Sequence, residues 1–163
     1  MKRMEHEFSY EVYDSIDALS EDDKWLLDEA REATQYAYAP YSQFAVGAAA
    51  RLSDGSFVRG SNQENASFPA GLCAERVLLA AVAALHPPAT IETMAISYHN
   101  QHGESTTPIT PCGICRQAIQ EYTHRTGKPI RLILGGMQGQ VYIIPDANYL
   151  LPLSFTAHDL KGK

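Results

Sequence analysis

All three cysteines of the 163-residue chain lie in two short motifs, Cys73-Ala74-Glu75-Arg76 and Pro111-Cys112-Gly113-Ile114-Cys115. A Cys-x-x-Cys pair with one distant cysteine supplies three soft ligands, and three protein ligands with an open fourth position are typical of a catalytic zinc site. Glu75 follows the first cysteine by two residues. A carboxylate there can lie beside the metal without being a ligand, as a proton shuttle must. The pattern therefore requires a fold that brings the two motifs together.

The Cys-x-x-Cys motif on its own leaves three interpretations open. It could be a redox pair, half of a structural zinc site completed by His99 or His102, or part of a catalytic metal site. A structural site has no use for a carboxylate beside a ligand, so Glu75 favours the catalytic interpretation. The proline before Cys112 favours it too, because Cys-x-Glu followed by Pro-Cys-x-x-Cys is the pattern of the zinc-dependent nucleobase deaminases.

The charge of the chain indicates a small substrate. With 13 Lys+Arg against 19 Asp+Glu, the formal net charge is -6, and no run of basic residues is interleaved with aromatic ones. A polynucleotide would therefore be repelled on average. The length suits a single domain over 1–163.

The cysteines and the N-terminus predict a cytoplasmic protein. An odd number of cysteines, all assigned to one metal site, argues against a disulfide framework and for a reducing compartment. The N-terminal sequence MKRMEHEFSYEVYDS has no apolar segment of the signal-peptide kind, and no apolar run approaches the ~18 residues of a membrane span. We therefore expect no membrane partner.

Hydrophobic periodicity predicts an α/β fold with a mixed sheet of five strands sandwiched by helices. The order of elements is a helix, a hairpin and then alternating strands and helices, which gives a mixed sheet. The predicted strands cover 44–52, 57–61, 91–98, 130–134 and 141–144.

The N-terminal segment predicts two further features. Phe8, Tyr10 and Val12 alternate with polar neighbours, so we favour an added edge strand there over a flexible tail. Ser20 forms a capping signal, and apolar residues at helical spacing after it predict a first helix over 21–38.

Both cysteine motifs are predicted at helix starts. Cys73 would begin a helix that runs to about Leu85, and Cys112 one that runs to about His124. Because free backbone N–H groups at a helix N-terminus favour negative charge, the cysteines would be biased toward the metal-binding thiolate.

The chain resembles the homotetrameric zinc-dependent cytidine deaminases over about 37–160. The matching motifs are AYAPYSQFAVGAA, GSNQENASFPAGLCAERV, TPCGICRQ and LLPLSFTAHDL, in the order of the family. The resemblance implies a five-stranded sheet sandwiched by helices, with residues 1–20 as an N-terminal extension. It implies one Zn²⁺ per chain on Cys73, Cys112 and Cys115, and Glu75 as the catalytic proton shuttle.

The reaction implied is hydrolytic deamination of cytidine and 2'-deoxycytidine to uridine and 2'-deoxyuridine, with release of ammonia, in pyrimidine salvage. Zinc would acidify a water for attack on C4, and Glu75 would carry protons to ring N3 and to the departing amine.

Further site residues rest on the same resemblance. Asn62 and Glu64 are expected to hold the ribose 3'-hydroxyl, and Phe44 to contact the pyrimidine, with Tyr41 and Phe68 as weaker candidates. Arg76 is expected to hydrogen-bond the ligand sulfurs. Phe155 is expected to reach into a neighbouring subunit of a homotetramer with shared active sites.

Three departures from the family pattern concern the sugar contact, the tail and the N-terminus. They are Gln63 between the ribose-binding pair, Phe155-Thr156-Ala157 where Phe-Gly-Pro is common, and the extended N-terminus. Two rival functions remain: a deaminase of the same fold acting on an aminonucleoside such as blasticidin S, and a non-enzymatic zinc-stabilised binding module.

Overall fold

A mixed sheet of six strands lies at the centre of the structure, a computed structural model that describes residues 1–160. The strands are β1 (Glu11–Tyr13), β2 (Phe44–Leu52), β3 (Phe57–Ser61), β4 (Ile91–Asn100), β5 (Arg131–Gly135) and β6 (Val141–Ile144). They lie side by side in the order β1-β6-β5-β4-β2-β3. β4 runs parallel to β5, and the other neighbouring pairs are antiparallel.

The predicted count of five strands is wrong for the sheet as a whole. The five predicted strands are present, and β1 adds a sixth by antiparallel pairing of Glu11–Tyr13 with β6. Aromatic contacts hold this segment. The ring centroids of Phe8 and Tyr149 are 5.9 Å apart, and those of Tyr10 and Tyr142 are 5.3 Å apart. The N-terminal segment thus covers the backbone edge that β6 would otherwise expose.

Helices cover both faces of the sheet, as predicted. They are α1 (Glu21–Ala33), α2 (Ala74–Leu85), α3 (Gly113–Thr126) and a short α4 (Ala157–Leu160). α1 packs on one face, in a core with Ala49, Ala95 and Ile133. α2 and α3 pack on the other face, against the alternate residues of the same strands.

The first helix begins where the sequence predicts and ends earlier. The Ser20 side chain accepts a hydrogen bond from the backbone N–H of Asp23, which caps the helix. The α-helix stops at Ala33 and continues as a 3₁₀ turn over Thr34–Tyr36. Gly47 explains the close fit of this part, since a Cβ there would lie 2.1 Å from the carbonyl oxygen of Ala30. Only glycine allows α1 to approach β2 so closely.

The β4–α3–β5 connection sets the position of the site. Parallel neighbours need a crossover, and α3 supplies it, so the N-terminus of α3 lies beyond the C-terminal end of β4. In open α/β sheets, ligands bind at this end of the strands. Among residues 1–160, no helix is long and apolar enough to cross a membrane.

Candidate active site

The three cysteines lie at the N-termini of α2 and α3. Cys73 and Cys112 are the N-cap residues of these helices, both with extended backbone, and neither side chain caps its own helix. Cys115 lies in the first turn of α3. Gly60 in β3 allows the start of α2 to pack closely against the strand, because a Cβ at this position would lie 2.6 Å from the carbonyl oxygen of Ala74. Two helix N-termini therefore converge on one point, as predicted.

The sulfur atoms have the spacing of metal ligands. The three Sγ atoms all lie within 4.8 Å of one another, and those of Cys73 and Cys112 are 3.8 Å apart. Two thiolates bound to one tetrahedral zinc at about 2.3 Å each lie about 3.8 Å apart. All three thiols are free of disulfide bonds. The donor set thus fits a zinc ion with one open position.

The electrostatics favour a thiolate at Cys73. The interaction with the Cys115 thiol is the largest cause that lowers the pKa of Cys73, to about 6, and Arg76 acts in the same direction. The same interaction, together with burial, raises the pKa of Cys115. Of these two thiols, Cys73 therefore loses its proton more readily than Cys115, and the thiolate is the form that binds a metal.

A cavity of about 320 Å³ opens beside these sulfurs. Its size suits a small molecule, at the low end of the range for ligand pockets. Its lining combines metal-ligating, acidic, amide and apolar residues: Val46, Asn62, Gln63, Glu64, Phe68, Gly71, Leu72, Cys73, Glu75, Ile109, Thr110 and Cys112.

Glu75 lies in the wall of this cavity, next to the sulfurs. Its side chain is buried, and the residue is 5% exposed. Burial is the largest cause that shifts the pKa of its carboxyl, and it raises that pKa. A carboxyl group that holds a proton more tightly than usual suits a group that must both take and give one.

Asn62 and Glu64 line the same cavity, and hydrogen bonds to the backbone hold both. The Asn62 amide accepts from the Val46 N–H at 2.8 Å and donates to the Phe44 carbonyl at 3.0 Å, which fixes its orientation. Glu64 Oε2 accepts from the N–H groups of Tyr41 and Ser42. The hydrogen bond with the Ser42 side chain is the largest cause that lowers the pKa of Glu64, so this carboxylate is charged.

Four residues expected to contact the substrate or the sulfurs do not line the cavity within this single chain: Tyr41, Phe44, Arg76 and Phe155. Phe44 stacks on Tyr98, with ring centroids 4.9 Å apart. Phe155 is 58% exposed, although Gln117 donates a hydrogen bond to its carbonyl. Arg76 faces the groove between α2 and α3, and within residues 1–160 it makes no hydrogen bond to a sulfur. Its effect on the sulfurs is electrostatic.

The departures from the family pattern have local structural roles. The Gln63 side chain donates to the Tyr36 carbonyl and to Ser61 Oγ, while its backbone pairs with Leu72 and closes the loop before Cys73. Thr156 donates from its N–H and its hydroxyl to Asp159, which caps α4 directly after Phe155.

Sequence reasoning missed the far wall of the cavity, Ile109 and Thr110, and the role of Arg116. These residues belong to the loop before Cys112 and to the first turn of α3. The Thr-Pro-Cys-Gly-Ile-Cys-Arg motif contains Thr110 and Arg116, so their closeness to two ligands was the available signal.

The comparisons with known proteins agree with this geometry. The family model "Cytidine and deoxycytidylate deaminase zinc-binding region" matches residues 20–127. The cytidine deaminase of Halalkalibacterium halodurans is 38% identical over 139 residues, 85% of this chain and 98% of that protein. The crystal structure of cytidine deaminase from Burkholderia pseudomallei has 37% identity and a TM-score of 0.70, and covers 84% of this chain and 100% of that one. The crystal structure of cytidine deaminase from Mycobacterium tuberculosis has 31% identity and a TM-score of 0.63, and covers 83% of this chain and 98% of that one. The chain therefore belongs to the cytidine and deoxycytidylate deaminase zinc-binding family.

Proposed function

We propose that this protein is a zinc-dependent cytidine deaminase that converts cytidine and 2'-deoxycytidine to uridine and 2'-deoxyuridine with release of ammonia, in pyrimidine salvage. One observation carries the proposal: the buried carboxyl of Glu75 lines the same cavity as the ligand sulfurs of Cys73 and Cys112. A structural zinc site has no use for this arrangement, whereas hydrolysis of an aromatic amine requires it.

Cys73, Cys112 and Cys115 would hold the zinc ion, which supplies a Lewis acid that acidifies water near neutral pH. Glu75 takes one proton from the attacking water and gives it to ring N3. It then moves the second proton of that water, from the new C4 hydroxyl to the exocyclic nitrogen, so that ammonia leaves and the C4 carbonyl forms. Because burial raises its pKa, Glu75 can hold the proton between these transfers.

Asn62 and Glu64 are suited to bind the sugar. The backbone contacts of Asn62 fix its amide, and Glu64 uses Oε2 for the backbone of Tyr41 and Ser42. The two backbone N–H groups both bind Oε2, which leaves Oε1 to accept a bond from the ribose 3'-hydroxyl. Since this contact does not involve the 2'-position, the deoxynucleoside is accepted as well.

Arg76 offsets the charge of the site. Three thiolates on Zn²⁺ leave a net charge of -1, which weakens the acidification of water. The positive charge of Arg76 favours the thiolate at Cys73, and a rotation of its long side chain toward the sulfurs would strengthen this effect.

We also propose a homotetramer with shared active sites. Phe155, Leu153 and Leu160 are 58%, 105% and 74% exposed, which is more apolar surface than a tail normally leaves in water. In the assembly, Phe155 would enter the cavity of a neighbouring chain and pack on the base. A single domain over 1–163, with residues 1–20 as its extension, is consistent with a family match that begins at residue 20; residues 161–163 lie outside the described part.

A substrate panel tests the reaction. The purified protein is incubated with cytidine, 2'-deoxycytidine, deoxycytidylate and blasticidin S, and the products are separated by chromatography. We expect uridine from cytidine and 2'-deoxyuridine from 2'-deoxycytidine, with one ammonia released for each molecule of product. Turnover of blasticidin S alone would indicate an aminonucleoside deaminase. Full zinc content without turnover of any compound would indicate a zinc-stabilised binding module.

A cytoplasmic location, proposed from the three free thiols, is checked by cell fractionation.

A further inference from the structure

Arg116 lies one residue after Cys115 and connects α3 to two other segments, the loop before Cys112 and the turn over 147–150. Its Nε donates to the carbonyl oxygen of Pro111 at 2.8 Å, and Nη1 donates to that of Leu150 at 3.0 Å. Nη2 donates to Thr110 Oγ1 at 3.0 Å. The guanidinium thus binds the residue before the ligand Cys112, a residue of the cavity wall, and the turn over 147–150.

Electrostatics alone do not explain an arginine at this position. Arg116 lies near the N-terminus of α3, where a positive charge opposes the helix dipole by about 0.3–1 kcal/mol. Within residues 1–160, the ion pairs do not include Arg116, and its three acceptors are uncharged oxygens. Its contribution is therefore geometric.

Arg116 holds the segment that sets the direction of the Cys112 side chain, in which Pro111 is buried. Cys112 is exposed, and its side chain makes no capping bond, so its direction depends on the peptide plane between Pro111 and Cys112. The Pro111 carbonyl belongs to that plane. On the other side, the turn with Leu150 is anchored to α3 by a hydrogen bond from Thr123 Oγ1 to Asn148. Arg116 thus ties the residue before an exposed ligand to a turn that is itself anchored to α3.

We propose that Arg116 is a positioning residue that fixes the ligand Cys112 and the cavity wall at Thr110 in the geometry required for zinc and substrate. The inference rests on the proposed zinc-dependent function. Lysine cannot replace the planar fork, because its donors radiate from a single atom and cannot meet three acceptors in one plane. Groups that orient metal ligands are worth about 10–100-fold in metal affinity or activity.

The test compares Arg116→Lys and Arg116→Ala with Arg51→Lys and Arg51→Ala. Arg51 is a suitable control because it pairs with the exposed carboxylates of Asp22 and Glu92, and it is not among the residues that line the cavity. Each protein is measured for melting temperature, for the rate of zinc release to a chromogenic chelator, for the visible spectrum of its Co²⁺-substituted form, and for kcat and KM with cytidine.

We expect Arg116→Lys to fold, to release zinc about 10-fold or more faster, and to show a shifted Co²⁺ spectrum and a lower kcat, while the Arg51 variants match the parent. An Arg116→Lys protein with parent-like zinc release and Co²⁺ spectrum overturns the proposal, whatever its melting temperature. If Arg116→Ala does not fold, the lysine variant decides. A parent protein without zinc would instead overturn the proposed function, so the two failures are distinguishable.

Discussion

The Sγ atoms of Cys73 and Cys112 lie 3.8 Å apart, although 39 positions separate the two residues in the chain. Each is the N-cap of its own helix, and each helix begins at the same end of the sheet. The sheet and the close approach of α2 to Gly60 therefore bring the ligands together. Because these three sulfurs are all the protein ligands of the site, we expect it to lose its function in one step when one ligand is removed.

Replacement of Cys112 by serine should abolish both zinc binding and activity. Three protein ligands leave no spare, and a serine hydroxyl is a poor ligand for zinc at neutral pH. Zinc per chain is measured by elemental analysis, and activity by the loss of cytidine absorbance. The parent protein, stripped with a chelator and reloaded with zinc, serves as the control. Full zinc with full activity in the variant would contradict the ligand assignment.

Replacement of Glu75 by glutamine should keep zinc and lower kcat by at least about 10²–10⁴-fold. The amide keeps the shape of the side chain but cannot accept and return a proton. The measurements are kcat, KM and zinc content. Glu104→Gln, in an exposed loop, is the matched control and should retain parent kcat. Loss of zinc in Glu75→Gln would mean that Glu75 is a ligand and not a shuttle.

The metal site could be predicted from the sequence because particular residue types recur there at fixed spacing. Three cysteines, one glutamate and two helix starts define it without knowledge of the sheet. The sequence signal for the sixth strand is weaker, because β1 is only three residues long and its partner β6 lies near the other end of the chain.

Arg116 could not be assigned from the sequence for a different reason. Two of its three acceptors are backbone carbonyls, at Pro111 and Leu150, and a carbonyl is present at every residue. Such contacts leave no pattern of residue types. Phe155 shows the same limit: its expected role depends on a surface outside its own chain.

The Asp23–Arg131 pair should make stability depend on pH. Asp23 accepts two hydrogen bonds from the Arg131 guanidinium, at 2.7 and 2.8 Å, and this contact is the largest cause that lowers its pKa. A carboxyl whose pKa is lowered by folding stabilises the protein above its unfolded pKa of about 3.9, and the contribution is lost as the pH falls through the folded pKa.

Asp23→Asn should therefore lower the free energy of unfolding by about 1–2 kcal/mol at pH 7, and the difference from the parent should shrink below about pH 4. Urea unfolding of the zinc-free proteins at pH 7, 5 and 3 measures this. Asp22→Asn is the control, because Asp22 lies in the same first turn but its side chain is 82% exposed. Equal losses in both variants would assign the effect to the helix dipole.

Replacement of Phe155 by alanine should raise KM for cytidine several-fold and leave zinc content unchanged. The ring is exposed in the single chain, and Gln117 and the Thr156 cap hold its backbone in place, so it is presented outward. An aromatic contact with the base is worth on the order of 1 kcal/mol beyond the buried area, which corresponds to a change of this size. Phe57→Ala is the matched control, because Phe57 is also partly exposed but packs on Trp25, and it is not among the residues that line the cavity. Sedimentation velocity at micromolar concentration gives the oligomeric state. A monomer with full activity and a parent-like KM in Phe155→Ala would remove the shared site, because no neighbouring chain would then be present to receive the ring.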